Sequence, residues 1–327
     1  MGKVLAGDIG GTKTRLAIAQ VSGNRVDIER MADYPSREYT TFEALLADFI
    51  GNEQAPVGAA FGIAGPVRGR AVRATNLPWY IEADTLQQQF NLKSCTLLND
   101  LEATAYGLPA LGEGDLLTLQ AGEANASGNT AIIAAGTGLG EAGLYWDGQQ
   151  HRPYATEGGH TSFSPQSELE FALLRNLQSK YSHVSWERVV SGMGLLDLHE
   201  FLRGYRKATM PKWLADEMRD NDAAASIAKA AQSGKDDICI ETMQLFVQLY
   251  GAEAGNLTLK TMSSGGLYVG GGIAPKILPL MQSGAFLAAF LNKGRMRHLL
   301  EAMPVKVILN DHAALYGPAL CAARAAE

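Results

Sequence analysis

Three cysteines, Cys95, Cys239 and Cys321, are all that the 327 residues contain. They are odd in number, lie far apart and form no CxxC pair. The sequence therefore suggests neither a disulfide framework nor a cysteine zinc site, and its reading is a reducing, cytoplasmic compartment. Positive charge is also short: 28 Lys and Arg stand against 34 Asp and Glu, a formal charge of -6. A nucleic-acid binder should carry a basic domain or stripe, so that class drops out. Long apolar runs are missing too. Asp8 interrupts the first one before a signal-peptide core can form, and residues 277–292 contain Pro279, Gln282 and Gly284, so nothing reads as a membrane span. No GxxxxGKS or GxxxxGKT occurs anywhere, which removes a P-loop.

What is present suits a globular chain of about two domains, at roughly 150 residues each. Hydrophobic residues make up 46% and charged residues 19%, enough apolar material for real cores. Residues 3–9 and 14–21 read as strands joined by a tight Gly10-Gly11 turn, with a third strand over 26–34. Thr41 then caps a helix with Phe42, Leu45, Leu46 and Phe49 on one stripe. Residues 57–65 and 94–100 read as buried strands, and 121–129, small and polar, mark an internal boundary. Beyond it 130–146 repeats the strand, glycine turn, strand pattern, and Asp147-Gly148 makes a hairpin. Helices are expected over 168–180, 194–208 and 236–260. A strand over 266–273 follows, with Pro275 placed to begin a helix. The strand 305–309 and a final helix from 312 are expected to return to the first domain's sheet. The fold class is α/β, with mixed sheets and helices on both faces, and the two similar openings suggest a diverged internal duplication.

The 36 glycines gather at strand ends: Gly10-Gly11-Thr12, Gly136-Thr137-Gly138 and Gly270-Gly271-Gly272. Consecutive backbone amides at such turns form anion nests suited to phosphate; tight hairpins explain the first two clusters but not all three. Gly138, Gly140 and Gly143 satisfy GxGxxG, yet 143–147 continues as a strand where a dinucleotide fingerprint needs a helix. Asp8 beside the first nest suits a hydrated magnesium ion, with turn capping as the alternative. Lys13 and Arg15 are local positive charges, for a nucleotide or simply for solvent.

Asn99 and Asp100 end a very apolar strand, where sites of open α/β sheets gather. Asp100 has the chemistry to take a proton from a substrate hydroxyl and Asn99 to orient hydroxyls, although capping of a helix over 101–108 also explains Asp100. Glu157 and His160 flank two glycines, which argues for a loop rather than a metal-binding helix. Glu187 alone would read as a helix-start charge.

Eight segments in order, LAGDIGGTKTRLAI (5–18), FGIAGPV (61–67), TNLPW (75–79), LLND (97–100), AAGTGLGEA (134–142), EGGH (157–160), ERVVSGMGL (187–195) and VGGGI (269–273), make the chain resemble a bacterial glucokinase of the actin-like ATPase superfamily. The resemblance implies two actin-like (ribonuclease H-like) domains around a central cleft, one of residues 1–110 plus about 301–327 and one of 111–300 with helical insertions. It implies phosphorylation of D-glucose at the 6-hydroxyl by ATP, the entry step of glycolysis, in a homodimer. By the same resemblance Asp100 is the catalytic base, and Asn99, Glu157, His160 and Glu187 hold glucose with it. Gly7, Asp8, Ile9, Gly10, Gly11 and Thr12 bind ATP phosphates together with Gly136, Thr137 and Gly138, while Gly270, Gly271 and Gly272 lie near the adenosine. Asn-Ala is common in the family where Lys13-Thr14 stands, so neither side chain takes a fixed role. No CxCGxxGC follows EGGH, so no zinc is expected, and no DNA-binding helices precede residue 4. A kinase for a related hexose, or an actin-like ATPase without a sugar, are the competing readings.

Overall fold

The apolar N-terminal run forms a central strand. The computed structural model describes residues 2–51, 56–74 and 77–326, so Thr75 and Asn76 of TNLPW lie outside the described residues. In it β1 (Val4–Ile9) turns through residues 10–12 into antiparallel β2 (Lys13–Ser22), and β3 (Arg25–Pro35) follows as an edge strand with strictly alternating burial. The Thr41 hydroxyl accepts from Ala44 N–H at 3.2 Å to cap α1 (Phe42–Ile50), whose Phe42, Leu45, Leu46 and Phe49 are buried as their spacing predicts. β4 (Gly58–Ile63) pairs parallel with β1. A small antiparallel sheet of β5 (Val67–Arg68), β6 (Ala71–Arg73) and β7 (Tyr80–Glu82) follows, then α2 (Ala83–Gln89). β8 (Ser94–Asn99) pairs parallel with β4 and runs straight into α3 (Asp100–Gly107), giving the sheet order β3-β2-β1-β4-β8.

The second sheet holds β9 (Leu116–Gln120), β10 (Thr130–Ala135), β11 (Leu139–Trp146), β12 (His151–Ala155), β13 (Gly266–Gly270) and β14 (Val305–Ile308) in the order β12-β11-β10-β13-β14-β9. Between β12 and β13 come α4 (Glu168–Gln178), α5 (Gly192–Tyr205), α6 (Lys212–Asp220), α7 (Ala223–Gln232) and α8 (Asp237–Thr261). After β13 come α9 (Leu278–Met281), α10 (Ala285–Leu291) and α11 (Arg297–Glu301). Phe286 and Phe290 of α10 are fully buried, and their carbonyls sit against Gly251 and Gly255 of α8. No single helix among the described residues is long and apolar enough to cross a membrane.

The chain divides into two compact units, Met1–Leu116 with Arg152–Ala155 and Asn310–Glu327, and Leu117–His151 with Thr156–Leu309. Each contains an antiparallel hairpin at a glycine turn, β1–β2 or β10–β11, whose first strand then pairs parallel with the next one inward, β4 or β13. The repeated strand, glycine turn, strand pattern expected from the sequence is thus present in both units. Two expectations are corrected. β14 does not return to the first sheet: it pairs parallel with β13, Leu267 opposite Val305. Only the helix after it does so, as α12 (Ala313–Ala326) packs Leu315, Ala319, Leu320 and Ala322 on Val4, Ala6, Ala17 and Ala19. β13 stops at Gly270, because Gly271 takes φ +81° and a Cβ there would meet the Ala135 carbonyl.

Candidate active site

The first unit brings its acidic groups to the carboxyl ends of adjacent parallel strands. Asp8 of β1 stands opposite Gly62 of β4, and Ile63 of β4 opposite Asn99 of β8. Asn99, not Asp100, caps α3: its Oδ1 accepts from Leu101 N–H at 3.0 Å and Glu102 N–H at 3.3 Å. Its amide Nδ2 donates to the Gly65 carbonyl at 3.5 Å. Asp100 is the first residue of the helix, with Oδ1 2.9 Å from Leu101 N–H. The cap proper belongs to Asn99, and Asp100 shares its Leu101 amide. Asp8 is half-buried, and its carboxyl is raised from 3.8 to about 6, first by lost hydration and then by the Asp100 charge, against Arg15 and Lys13.

The first glycine turn is fastened by Lys13 of β2 and by Ser36, just beyond β3. Gly10 N–H donates to Lys13 O at 3.0 Å, Ser36 Oγ donates to Gly10 O at 2.8 Å, and Ser36 N–H donates to Thr12 O at 3.0 Å. Lys13 and Arg15 both pair with Asp33, at 3.0 Å and 2.7 Å, and Arg15 also donates to the Asp311 carbonyl at 2.9 Å. Hydrogen bonding by Arg15 is the largest cause holding Asp33 down at about 2. These two cations have a carboxylate partner within the sheet, which the sequence left open.

The second unit supplies the other turns. Gly136 N–H closes on Gly138 O at 2.9 Å between β10 and β11. The buried Tyr250 hydroxyl accepts from Ala135 N–H at 3.1 Å and lies 3.3 Å from Gly270 O, so one side chain ties both glycine turns to α8. Glu187 is not a helix-start charge. Ser191 caps α5, and Glu187 stands earlier in a 3-10 turn, its Oε2 accepting from Leu139 N–H at 3.0 Å in the space left by Gly138. The EGGH segment forms another 3-10 turn over Gly158–His160, closed by His160 N–H to Glu157 O at 3.0 Å. Glu157 and His160 keep 63% and 60% of their side chains exposed, 3.8 Å apart at Oε2 and Nε2. Trp186 N–H donates to Thr161 O at 3.0 Å, which joins the turn of Glu187 to that of His160. So Asp8, Asn99 and Asp100 gather in one unit, and Glu157, His160, Glu187 and residues 136–138 in the other.

The glucokinase family model matches residues 5–325. A glucokinase from Nostoc sp. strain PCC 7120 is 43% identical over 339 residues, covering 98% of this chain and 99% of that protein. The chain belongs to the glucokinase family. It phosphorylates glucose at the expense of ATP. Among solved structures, the glucokinase of an Antarctic psychrotroph is 30% identical with a TM-score of 0.85, covering 98% of this chain and 99% of that one. A ROK family glucokinase from Streptomyces griseus, in complex with glucose and AMPPNP, is 22% identical with a TM-score of 0.67, covering 99% and 100%. The fold is the actin-like ATPase fold that the motifs implied.

Two groups of this family member escaped the sequence reading. Glu141 lies within AAGTGLGEA and is 2% exposed on β11 beside the EGGH turn. Its only signal was a charge inside an apolar strand. His199, Asp236 and Cys239 form the one three-ligand group suited to a metal among the described residues. Arg203 already occupies it, with Nη2 2.6 Å from Asp236 and Nε donating to His199 at 3.2 Å. They are spread over 40 residues and two helices, so no motif marks them.

Proposed function

We propose that the chain transfers the γ-phosphoryl group of ATP to the 6-hydroxyl of glucose with Asp100 as general base. The observation that carries this reading is that Asp8 near the end of β1 and Asp100 just after β8 stand at the carboxyl ends of the two strands that flank β4. Asp100 accepts the hydroxyl proton, the sugar oxygen bonds to the γ-phosphorus, and the bond to the β–γ bridging oxygen breaks to release ADP. Asn99 through its amide, and Glu157, His160 and Glu187, hold glucose hydroxyls. Residues 7–12 and 136–138 bind the phosphates, and 270–272 lie beside the adenosine. A half-buried carboxyl raised to about 6 beside a second carboxylate is short of positive charge, which fits a cation. Magnesium held there through water would offset charge on the transferring phosphoryl group. The cytoplasm, a homodimer and the absence of structural zinc belong to the same proposal, and Arg203 within the His199 cluster supports the last of these.

The test is Asp100→Asn. The amide is nearly isosteric, and the cap belongs to Asn99, so the variant should melt like the wild type and bind ATP. Glucose affinity should change modestly while kcat falls at least about a hundredfold. A kcat within about threefold of wild type would remove Asp100 as the base. A sugar panel on the wild type separates glucose from a related hexose, and each contacted hydroxyl deleted should cost about tenfold or more in kcat/KM.

A further inference from the structure

A carboxylic acid lies directly beneath the turn that carries Glu157 and His160. The Glu141 carboxyl fills the place that a side chain at position 158 would need, so Gly158 rests on it. The Thr156 hydroxyl donates to the Glu141 carbonyl at 2.9 Å and accepts from Gly158 N–H at 3.2 Å, fastening the turn to the same residue. On the inner side, Glu253 of α8 is fully buried and accepts from Asn256 Nδ2 at 2.8 Å and Lys260 Nζ at 3.1 Å. Among the described residues no donor meets the buried Glu141 Oε1. A buried carboxyl with an oxygen that no donor meets is costly to keep ionised, and the nearby Glu253 charge adds to that cost. Glu253 already has two donors, so the proton sits on Glu141.

We infer that neutral Glu141, packed under Gly158, is a positioning residue that holds the Glu157–His160 turn in its glucose-binding form. This rests on the reading that the turn holds the sugar. Burial first and the Glu253 charge second raise Glu141 to about 8, against the pull of Lys260. The other titratable groups around the pair are Tyr250 on α8 and Lys293, whose Nζ donates to the Ala252 carbonyl at 2.9 Å. Two ionised carboxylates side by side in such a place are costly, and Lys260 is committed to Glu253. Once the proton leaves, Glu141 is driven toward water, and the half-buried Gly158 stands in its way. The turn shifts, and glucose binding weakens while the phosphate turns stay in place.

Steady-state kinetics of the full chain between pH 7 and pH 9, with glucose varied at saturating ATP and magnesium, test this. The wild-type glucose KM should rise about tenfold, following the fraction of protonated Glu141, with a much smaller change in kcat. Glu141→Gln keeps nearly the same shape under Gly158 and cannot ionise, so its KM ratio between the two pH values should fall within about twofold. A merely structural role would lower the melting temperature and leave the two profiles parallel, which overturns the inference, as does a flat wild-type profile. Should Glu141→Gln fail to fold, Glu253→Gln removes the neighbouring charge and must move the wild-type rise to lower pH; an unmoved rise overturns the inference. Glu157→Ala distinguishes the two ideas. A raised glucose KM at pH 7 supports the sugar reading, and a profile for Glu141→Gln that still climbs then removes the inference alone. A wild-type KM in Glu157→Ala removes both.

Discussion

His199 is 1% exposed and accepts a hydrogen bond from Arg203 Nε, a donor that a protonated imidazole would repel. Burial and then the Arg203 charge lower its pKa from 6.5 to about 4, only partly opposed by Asp236. The folded value lies below the unfolded one, so its contribution to stability is complete above about pH 6.5 and is lost as pH falls toward 4. The slope is at most about 1.4 kcal/mol per pH unit. His199→Gln keeps an acceptor for Arg203 and cannot titrate. Its melting temperature should drop less than the wild type's between pH 7 and pH 5, by calorimetry; equal drops would show that another group titrates. At this scale the sequence was most readable where a side chain is fixed by its own neighbours. Asn99-Asp100 at the end of an apolar strand announced a polar site, but which of the two caps the helix depends on backbone angles. Glu141 in LGEAGLYW alternates like any strand residue, and its burial comes from α8 and Gly158, which the strand itself does not specify. Lys13 and Arg15 were undecided because Asp33 meets them only through the pairing of β2 with β3.

Elements were legible where periodicity and end signals agree. Thr41 before Phe42, Leu45, Leu46 and Phe49 located α1, and the alternation of β3 matched an edge strand. Sheet membership was not. The apolar run of β14 suits either sheet, and its parallel partner β13 was selected by tertiary packing. Helix crossings were equally hidden. α3 and α12 approach so closely that a Cβ at Gly317 would collide with the Ala103 carbonyl, a backbone atom that cannot rotate away. Gly317→Ala should therefore destabilise by about 1–3 kcal/mol through overpacking, although alanine favours a helix. Gly204, on α5 with nothing within 4 Å of its Cβ position, is the control: Gly204→Ala should be neutral or raise the melting temperature. If both substitutions raise it, the α3–α12 crossing has room that its glycine does not need.

At the scale of the whole molecule, two units built on the same strand order place glycine turns at the ends of β1, β10 and β13, and hydrogen bonds within the chain fasten those turns. Ser36 hydrogen bonds fasten the first, and Tyr250 fastens the other two through Ala135 and Gly270. Buried His199 and Cys239 and half-buried Asp236 are held by Arg203 together with the Asp236 bond to Cys239 N–H at 2.8 Å, so this region has its own neutralising charge. In the proposed mechanism the group that would attract a cation is Asp8, where burial and Asp100 have raised a carboxyl to about 6. Chelation should then separate chemistry from folding. With EDTA in excess, glucose phosphorylation should stop, because the charge on ATP and beside Asp8 is no longer offset. Far-ultraviolet circular dichroism and the melting temperature in the absence of nucleotide should stay as they were, and magnesium added beyond the chelator should restore the rate within mixing time. Loss of helical signal on chelation, or recovery only after refolding, would place a structural metal in this chain and make the His199 cluster the first place to look for it.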